Sequence, residues 1–156
     1  MQPHGTKEIL GFGIAQTEGA APWRRVFSEL QIRGVVDALI ALIDGLPGLP
    51  EELHTVFPQT MIHQCVVHLV RQSLQYVSYQ DRKALKPRMR AIYQAPSEAT
   101  ARAALAHQAS TPLGQRYPQI ASIWERHWER FAPALAYPLA VRRVLYTTNA
   151  IESLNS

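Results

Sequence analysis

The sequence predicts an α/β fold on three observations. Short apolar runs alternate with stretches of helical period over residues 1–64. From residue 65 the pattern is helical to the end. One run, Ala38-Leu39-Ile40-Ala41-Leu42-Ile43, passes directly into Asp44-Gly45. A short apolar run without a 3.6-residue period, bounded by a turn signal, reads as a buried strand. The C-terminal end of such a strand is where an open α/β sheet places its chemistry. Asp44 therefore stands either in a site at the sheet edge or merely at a turn. Leu46-Pro47-Gly48-Leu49-Pro50 carries two prolines, so the chain is not expected to return as a hairpin.

The first element is a strand over Lys7–Gln16, with Leu10, Phe12 and Ile14 alternating and glycines at 11 and 13 that allow close approach on one face. Nothing strand-like precedes it, so the sheet is expected to be truncated. A helix over Pro22–Arg33 places Trp23, Val26, Phe27 and Leu30 at i, i+3, i+4 and i+7, with Trp23 expected in the core. Pro22 suits its first turn and Gly34 the position after it. The strand ending at Asp44 follows, then a short helix from about Pro50 to Val56, stopped at Phe57-Pro58. Thr60–Gln64 reads as a further strand. The strand–helix–strand order favours parallel pairing of the last two strands, with helices packed on the sheet.

From Cys65 on, Val66, Val67, Leu69, Val70, Leu74 and Val77 form one apolar face. Asp81–Gln94 places Leu85, Met89, Ile92 and Tyr93 on one stripe. Arg82, Lys86 and Arg90 fall on another if the helix continues through Pro87. An alanine-rich helix starts near Pro96-Ser97, with Ser97 as N-cap. Tyr117–Phe131 gathers Ile120, Ile123, Trp124, Trp128 and Phe131, and Leu139–Leu145 is a last short helix before Thr147-Thr148-Asn149. Three regions result: a sheet with helices over 1–64, a basic helical region over 65–145, and the start of another helix over 146–156.

The length suits one domain with a real core. No apolar run reaches membrane-spanning length, and Met1-Gln2-Pro3-His4-Gly5 lacks the apolar centre of a signal peptide. Cys65 is the only cysteine, which excludes an internal disulfide and fits a cytoplasmic protein. Charge is uneven. Residues 1–64 hold four basic and seven acidic side chains, residues 65–156 twelve and five, so the second region offers a field that attracts phosphate backbones. The alternative is a helical region that simply uses arginine on its solvated face.

Few residues carry chemistry by pattern. Glu152 lies three residues after Asn149, a capping-box spacing, so capping is its local explanation. His63, Cys65 and His68 put three nitrogen and sulfur donors within six residues. A structural zinc site needs a fourth ligand, and no second cysteine exists. A hydrogen-bonded histidine packed at a strand-to-helix junction is the competing reading, and His68 near the sheet edge remains able to touch substrate. Tyr146 lacks the surrounding constellation of a nucleophile, so packing is its default. No nucleophile elbow, phosphate loop or dinucleotide fingerprint is present.

One combination of motifs is specific. Thr17-Glu18-Gly19-Ala20, Trp23, Arg33-Gly34-Val35 and Asp44-Gly45-Leu46-x-Gly48 are followed by Gln64-Cys65-Val66-Val67-His68. Trp124, Trp128-Glu129 and Tyr146-Thr147-Thr148-Asn149-Ala150-Ile151-Glu152 complete the set. Together they resemble the Mutator-type bacterial insertion-sequence transposases along essentially the whole chain. The resemblance implies a partial ribonuclease H-like core followed by a mainly helical insertion, and an Asp-Asp-Glu triad holding two Mg²⁺ (or Mn²⁺) ions for DNA cleavage and strand transfer. Asp44 matches the second aspartate and Glu152 the glutamate, both as metal ligands. Cys65 and His68 match the Cys-x-x-His signature near the site. The expected partners are the insertion-sequence ends, target DNA and full-length transposase. Arg71, Arg82, Lys83, Lys86 and Arg90 are the candidates for DNA contact. The first aspartate of the pattern has no counterpart here, because no Asp precedes Asp37. The chain alone is therefore expected to be inactive in strand transfer. It is expected to be a truncated remnant or, alternatively, a non-catalytic module that binds DNA or transposase as an inhibitor.

Overall fold

The computed structural model describes residues 19–146. The expected strand over Lys7–Gln16 and the Asn149–Glu152 helix start lie outside these residues. What is described is mainly helical, with one two-stranded sheet. The described residues fall into two compact units, one running to Ala41 and taking in Leu46–Met61, the other of Leu42–Gly45 and the residues from Ile62 on.

In the first unit, α1 (Ala21–Ile32) packs on α2 (Leu49–Val56). Proline occupies the first turn of each, where a missing N–H costs nothing. Gly48 caps α2 at φ +80°, and a Cβ there would come within 3.0 Å of the Ala20 methyl, so the turn needs glycine on two counts. Arg24 grips the Glu52 carboxylate with two donors. The buried side chains are Leu49, Pro50 and Leu53 of α2, then Phe57 and Thr60 after it. Helix α1 buries none of its residues. Trp23 remains 42% exposed, resting against Phe27, which corrects the expectation that it is core. The apolar period of α1 is real, but α2 covers too little of the stripe to bury it.

The strands β1 (Ile40–Ile43) and β2 (Met61–Gln64) form the expected parallel pair. Met61 N–H donates to Leu39 C=O and Cys65 N–H to Ile43 C=O, so both chains advance in the same direction.

The second unit holds the large core. Helix α3 (Val66–Leu74) follows β2 directly. Helix α4 (Tyr79–Tyr93) starts at the Ser78 cap, whose hydroxyl accepts from Asp81 N–H, and runs unbroken through Pro87. The phasing of Arg82, Lys86 and Arg90 therefore holds. Helix α5 (Glu98–Ser110) is capped by Ser97, as its sequence indicates, and a short α6 (Pro112–Arg116) follows. The expected Tyr117–Phe131 helix is divided into α7 (Gln119–Arg126) and α8 (Trp128–Phe131), with His127 at the break, and a 3₁₀ turn and α9 (Leu139–Tyr146) complete the unit. Leu69, Leu85, Met89, Ile92, Ile120, Trp124 and Phe131 are fully buried together. The indole N–H of Trp124 donates to Ser73 Oγ (2.9 Å), which donates to Leu69 C=O (2.7 Å), so the core's largest residue leaves no polar atom unpaired. Among the described residues no helix is long and apolar enough to cross a membrane.

Candidate functional site

The end of β1 and the β2–α3 junction form the candidate site, all within the second unit. Ile43 is buried and its carbonyl accepts from Cys65 N–H at 2.7 Å, which pins the C-terminal ends of the two strands together. One residue later Asp44 emerges with its side chain half exposed. Backbone alternation explains the change, since successive side chains of a strand point to opposite faces.

Cys65 is the extended N-cap of α3 and His68 its third helical residue. The Cys-x-x-His spacing thus spans one helical turn at the strand-to-helix junction. It brings His68 Nε2 to 3.9 Å from Asp44 Oδ2, an ion pair when the imidazole is protonated. Cys65 itself is half-buried and its side chain does not cap the helix.

The turn after Asp44 is held by Gly45, which the sequence marks, and by His127, which no sequence pattern singled out. Gly45 has φ +91°, and a Cβ there would lie 2.9 Å from His127 Cε1 and 3.6 Å from Gln64 Oε1. Asp-Gly is thus both a turn signal and a place where a distant ring approaches the backbone. Gln64 is buried, and neither atom of its carboxamide has a hydrogen-bond partner. Such groups cost about 1–3 kcal/mol each unless water or a ligand satisfies them. His63, also buried, places Nε2 3.1 Å from the Tyr137 hydroxyl with its ring edge-on to the tyrosine. Burial lowers the His63 pKa below its ordinary value, opposed in part by the Arg130 backbone carbonyl. His127 is lowered by burial and then by the Arg126 and Arg130 charges. Both histidines favour the neutral form.

Among the described residues no three His, Cys, Asp or Glu side chains are grouped to hold a metal. The competing explanation of the His63-Cys65-His68 run, packing with a hydrogen-bonded histidine, describes His63. The Asp44 carboxylate is the hard oxygen donor that Mg²⁺ prefers, and its exposure fits one corner of such a site. The softer imidazole and thiol of His68 and Cys65 are poor Mg²⁺ ligands and fit roles beside it. Glu152 lies outside the described residues.

Of the residues expected to contact DNA, Arg71 is exposed on α3 one turn beyond His68, and Lys83, Lys86 and Arg90 are exposed on α4. Arg82 is committed elsewhere, donating Nε to Val77 C=O at 3.0 Å where α3 leads into α4. Tyr146 packs its ring edge-on to Tyr93, and burial pushes its phenol pKa up, as packing rather than nucleophilic chemistry requires.

A family model described as "Transposase, Mutator family" matches residues 1–156. Among curated proteins, the chain is 53% identical to a probable transposase for an ISRM3-like insertion sequence element of Sinorhizobium fredii (strain NBRC 101917 / NGR234), covering 97% of this chain and 38% of that protein. It is equally similar, with the same coverage, to the transposase for insertion sequence element ISRM3 of Rhizobium meliloti (strain 1021). It is 51% identical to a probable insertion-sequence transposase of Corynebacterium diphtheriae, over 97% of this chain and 44% of that protein. The chain thus spans 38–44% of the length of these relatives.

Proposed function

The chain belongs to the Mutator family of transposases, and from that premise we propose that it forms part of the catalytic core of an insertion-sequence transposase, which cleaves DNA and transfers the strand. In this reading β1 and β2 belong to a ribonuclease H-like sheet, and Asp44 and Glu152 supply two carboxylates of an Asp-Asp-Glu set. The observation that carries the proposal is the half-exposed Asp44 carboxylate at the C-terminal end of a parallel strand, with His68 Nε2 3.9 Å away. Parallel strands deliver site residues at this end.

The roles follow from the chemistry of each group. Asp44 and Glu152 would hold Mg²⁺ (or Mn²⁺). When bound, the ions supply activation of the attacking water or 3′-hydroxyl and stabilise the leaving oxygen. His68 orients the Asp44 carboxylate and, when protonated, adds positive charge next to a phosphodiester. Gly45 lets the turn sit tightly enough to aim Asp44 outward. Arg71, Lys83, Lys86 and Arg90 offer exposed cations to the DNA backbone, at the insertion-sequence ends or the target.

Mn²⁺ titration followed by electron paramagnetic resonance tests this reading on the purified chain. Asp44→Asn should weaken Mn²⁺ binding by about tenfold or more, and His68→Ala should weaken it less. Equal binding by the wild type and Asp44→Asn would overturn the assignment.

A further inference from the structure

We propose that Arg126 and Arg130, at the α7–α8 corner, form a phosphate-binding clamp that seats the DNA backbone beside Asp44. The inference rests on the transposase reading above and adds residues that no motif assigns. Three observations carry it. First, the corner is fastened to the site, because the His127 ring lies against Gly45 so closely that a Cβ there would meet His127 Cε1 at 2.9 Å. Second, the two arginines flank that ring in the helical register. Arg126 precedes His127 and Arg130 follows one turn later, its N–H donating to His127 C=O at 3.2 Å. Both are exposed, and among the described residues no carboxylate pairs with either. By contrast Arg24, Arg102 and Arg116 each hold a Glu or Asp. Third, the strand-end side of the corner already carries His68 and, one turn beyond it, the exposed Arg71.

The exposed Asp44 carboxylate therefore has the His68 imidazole 3.9 Å away, and the turn that follows it meets the His127 ring that Arg126 and Arg130 flank in sequence. Their charge also acts on the corner itself, since Arg126 and Arg130 both depress the His127 pKa. A neutral His127 is consistent with a ring that packs while its neighbours bind. Unpaired guanidiniums have the fork geometry that suits phosphate oxygens. A repeating phosphodiester can meet Arg126 and Arg130 at once while an adjacent phosphate faces Asp44. A lone anion would need only one of them.

The lone Cys65, three residues before His68, provides the reporter. The purified chain is labelled there with a photo-activated aryl azide, and binding to a fluorescein-labelled duplex is followed by anisotropy against salt. The variants are R126Q/R130Q, the charge-retaining R126K/R130K, and R25Q/R88Q, which removes the same charge elsewhere. R126Q/R130Q is expected to weaken binding on the order of tenfold near 0.1 M salt and to flatten the log–log salt slope by about two. It should also lose the Cys65–DNA crosslink per bound duplex. R126K/R130K and R25Q/R88Q should keep that crosslink, and unchanged thermal melts show that the variants are folded. Undiminished slope and crosslink in R126Q/R130Q would overturn the clamp while leaving the transposase reading intact. No DNA binding by the wild-type chain would remove both.

Discussion

Two regions of the same unit treat buried polar atoms in opposite ways. Around Trp124 the polar groups are paired: indole to Ser73, Ser73 to the Leu69 carbonyl. At the strand ends they are not, and neither is the carboxamide of Gln108, fully buried on α5. The Gln64 carboxamide is buried without partners, Gly45 is held at positive φ, and a half-exposed carboxylate projects from the edge. The first arrangement minimises free energy. The second costs stability, because a buried polar atom without a partner gives up its hydrogen bond to water.

The contrast can be broken most severely from the core side. Trp124 is fully buried and meets Phe131 edge-to-face at 5.1 Å. Trp124→Ala should cost about 3–5 kcal/mol in a urea melt. A loss below about 1 kcal/mol would mean the core tolerates the void. Ser73→Ala strands the indole N–H and should cost about 1–3 kcal/mol by the same measurement. At the strand end, Gly45→Ala forces a side chain into positive φ and against His127, and should also cost about 1–3 kcal/mol. Its diagnostic feature is relief: adding His127→Ala should recover part of that loss, and no recovery would show that His127 is not the obstacle.

A smaller effect concerns pH. His63 and His127 both have folded pKa values lowered by burial from an ordinary value of 6.5. Protonation therefore favours the unfolded chain. Their contribution is fully present above about pH 6.5 and is lost as pH falls through that value towards the lowered folded values. Melts across pH 8 to 5 should show stability declining below about 6.5, less steeply in His63→Gln. A profile identical to wild type would remove His63 from the account. The smallest effect has a revealing sign. Gln64→Leu removes two unpartnered polar atoms at similar size, so stability should stay within about 1 kcal/mol of wild type or rise. A loss beyond about 2 kcal/mol would mean the carboxamide is satisfied by water and belongs to the structural core instead.

Much of the architecture was readable in short windows. The period of Leu85, Met89 and Ile92 located α4, Ser97 marks the start of α5 through a bond three residues long, and Ile43-Asp44-Gly45 announced a strand end. Half of the candidate site was legible too, because Cys65 and His68 are placed by one helical turn and Asp44 by the end of one strand. What escaped depended on distant partners. Trp23 has the spacing of a core residue, yet its burial depends on how much surface α2 offers it. Arg82 looks like its neighbours in a basic run, yet it folds back on the Val77 carbonyl.

His127 marks the division most clearly. Local sequence set the strand, the turn and the helix that carry Asp44 and His68, since those rest on backbone periodicity and on bonds within a turn or two. Family membership also followed from motifs that survive as letters. That a histidine between two helices closes on Gly45 is written in no window of the chain. It is settled only when the core around Trp124 packs and fixes where the α7–α8 corner ends.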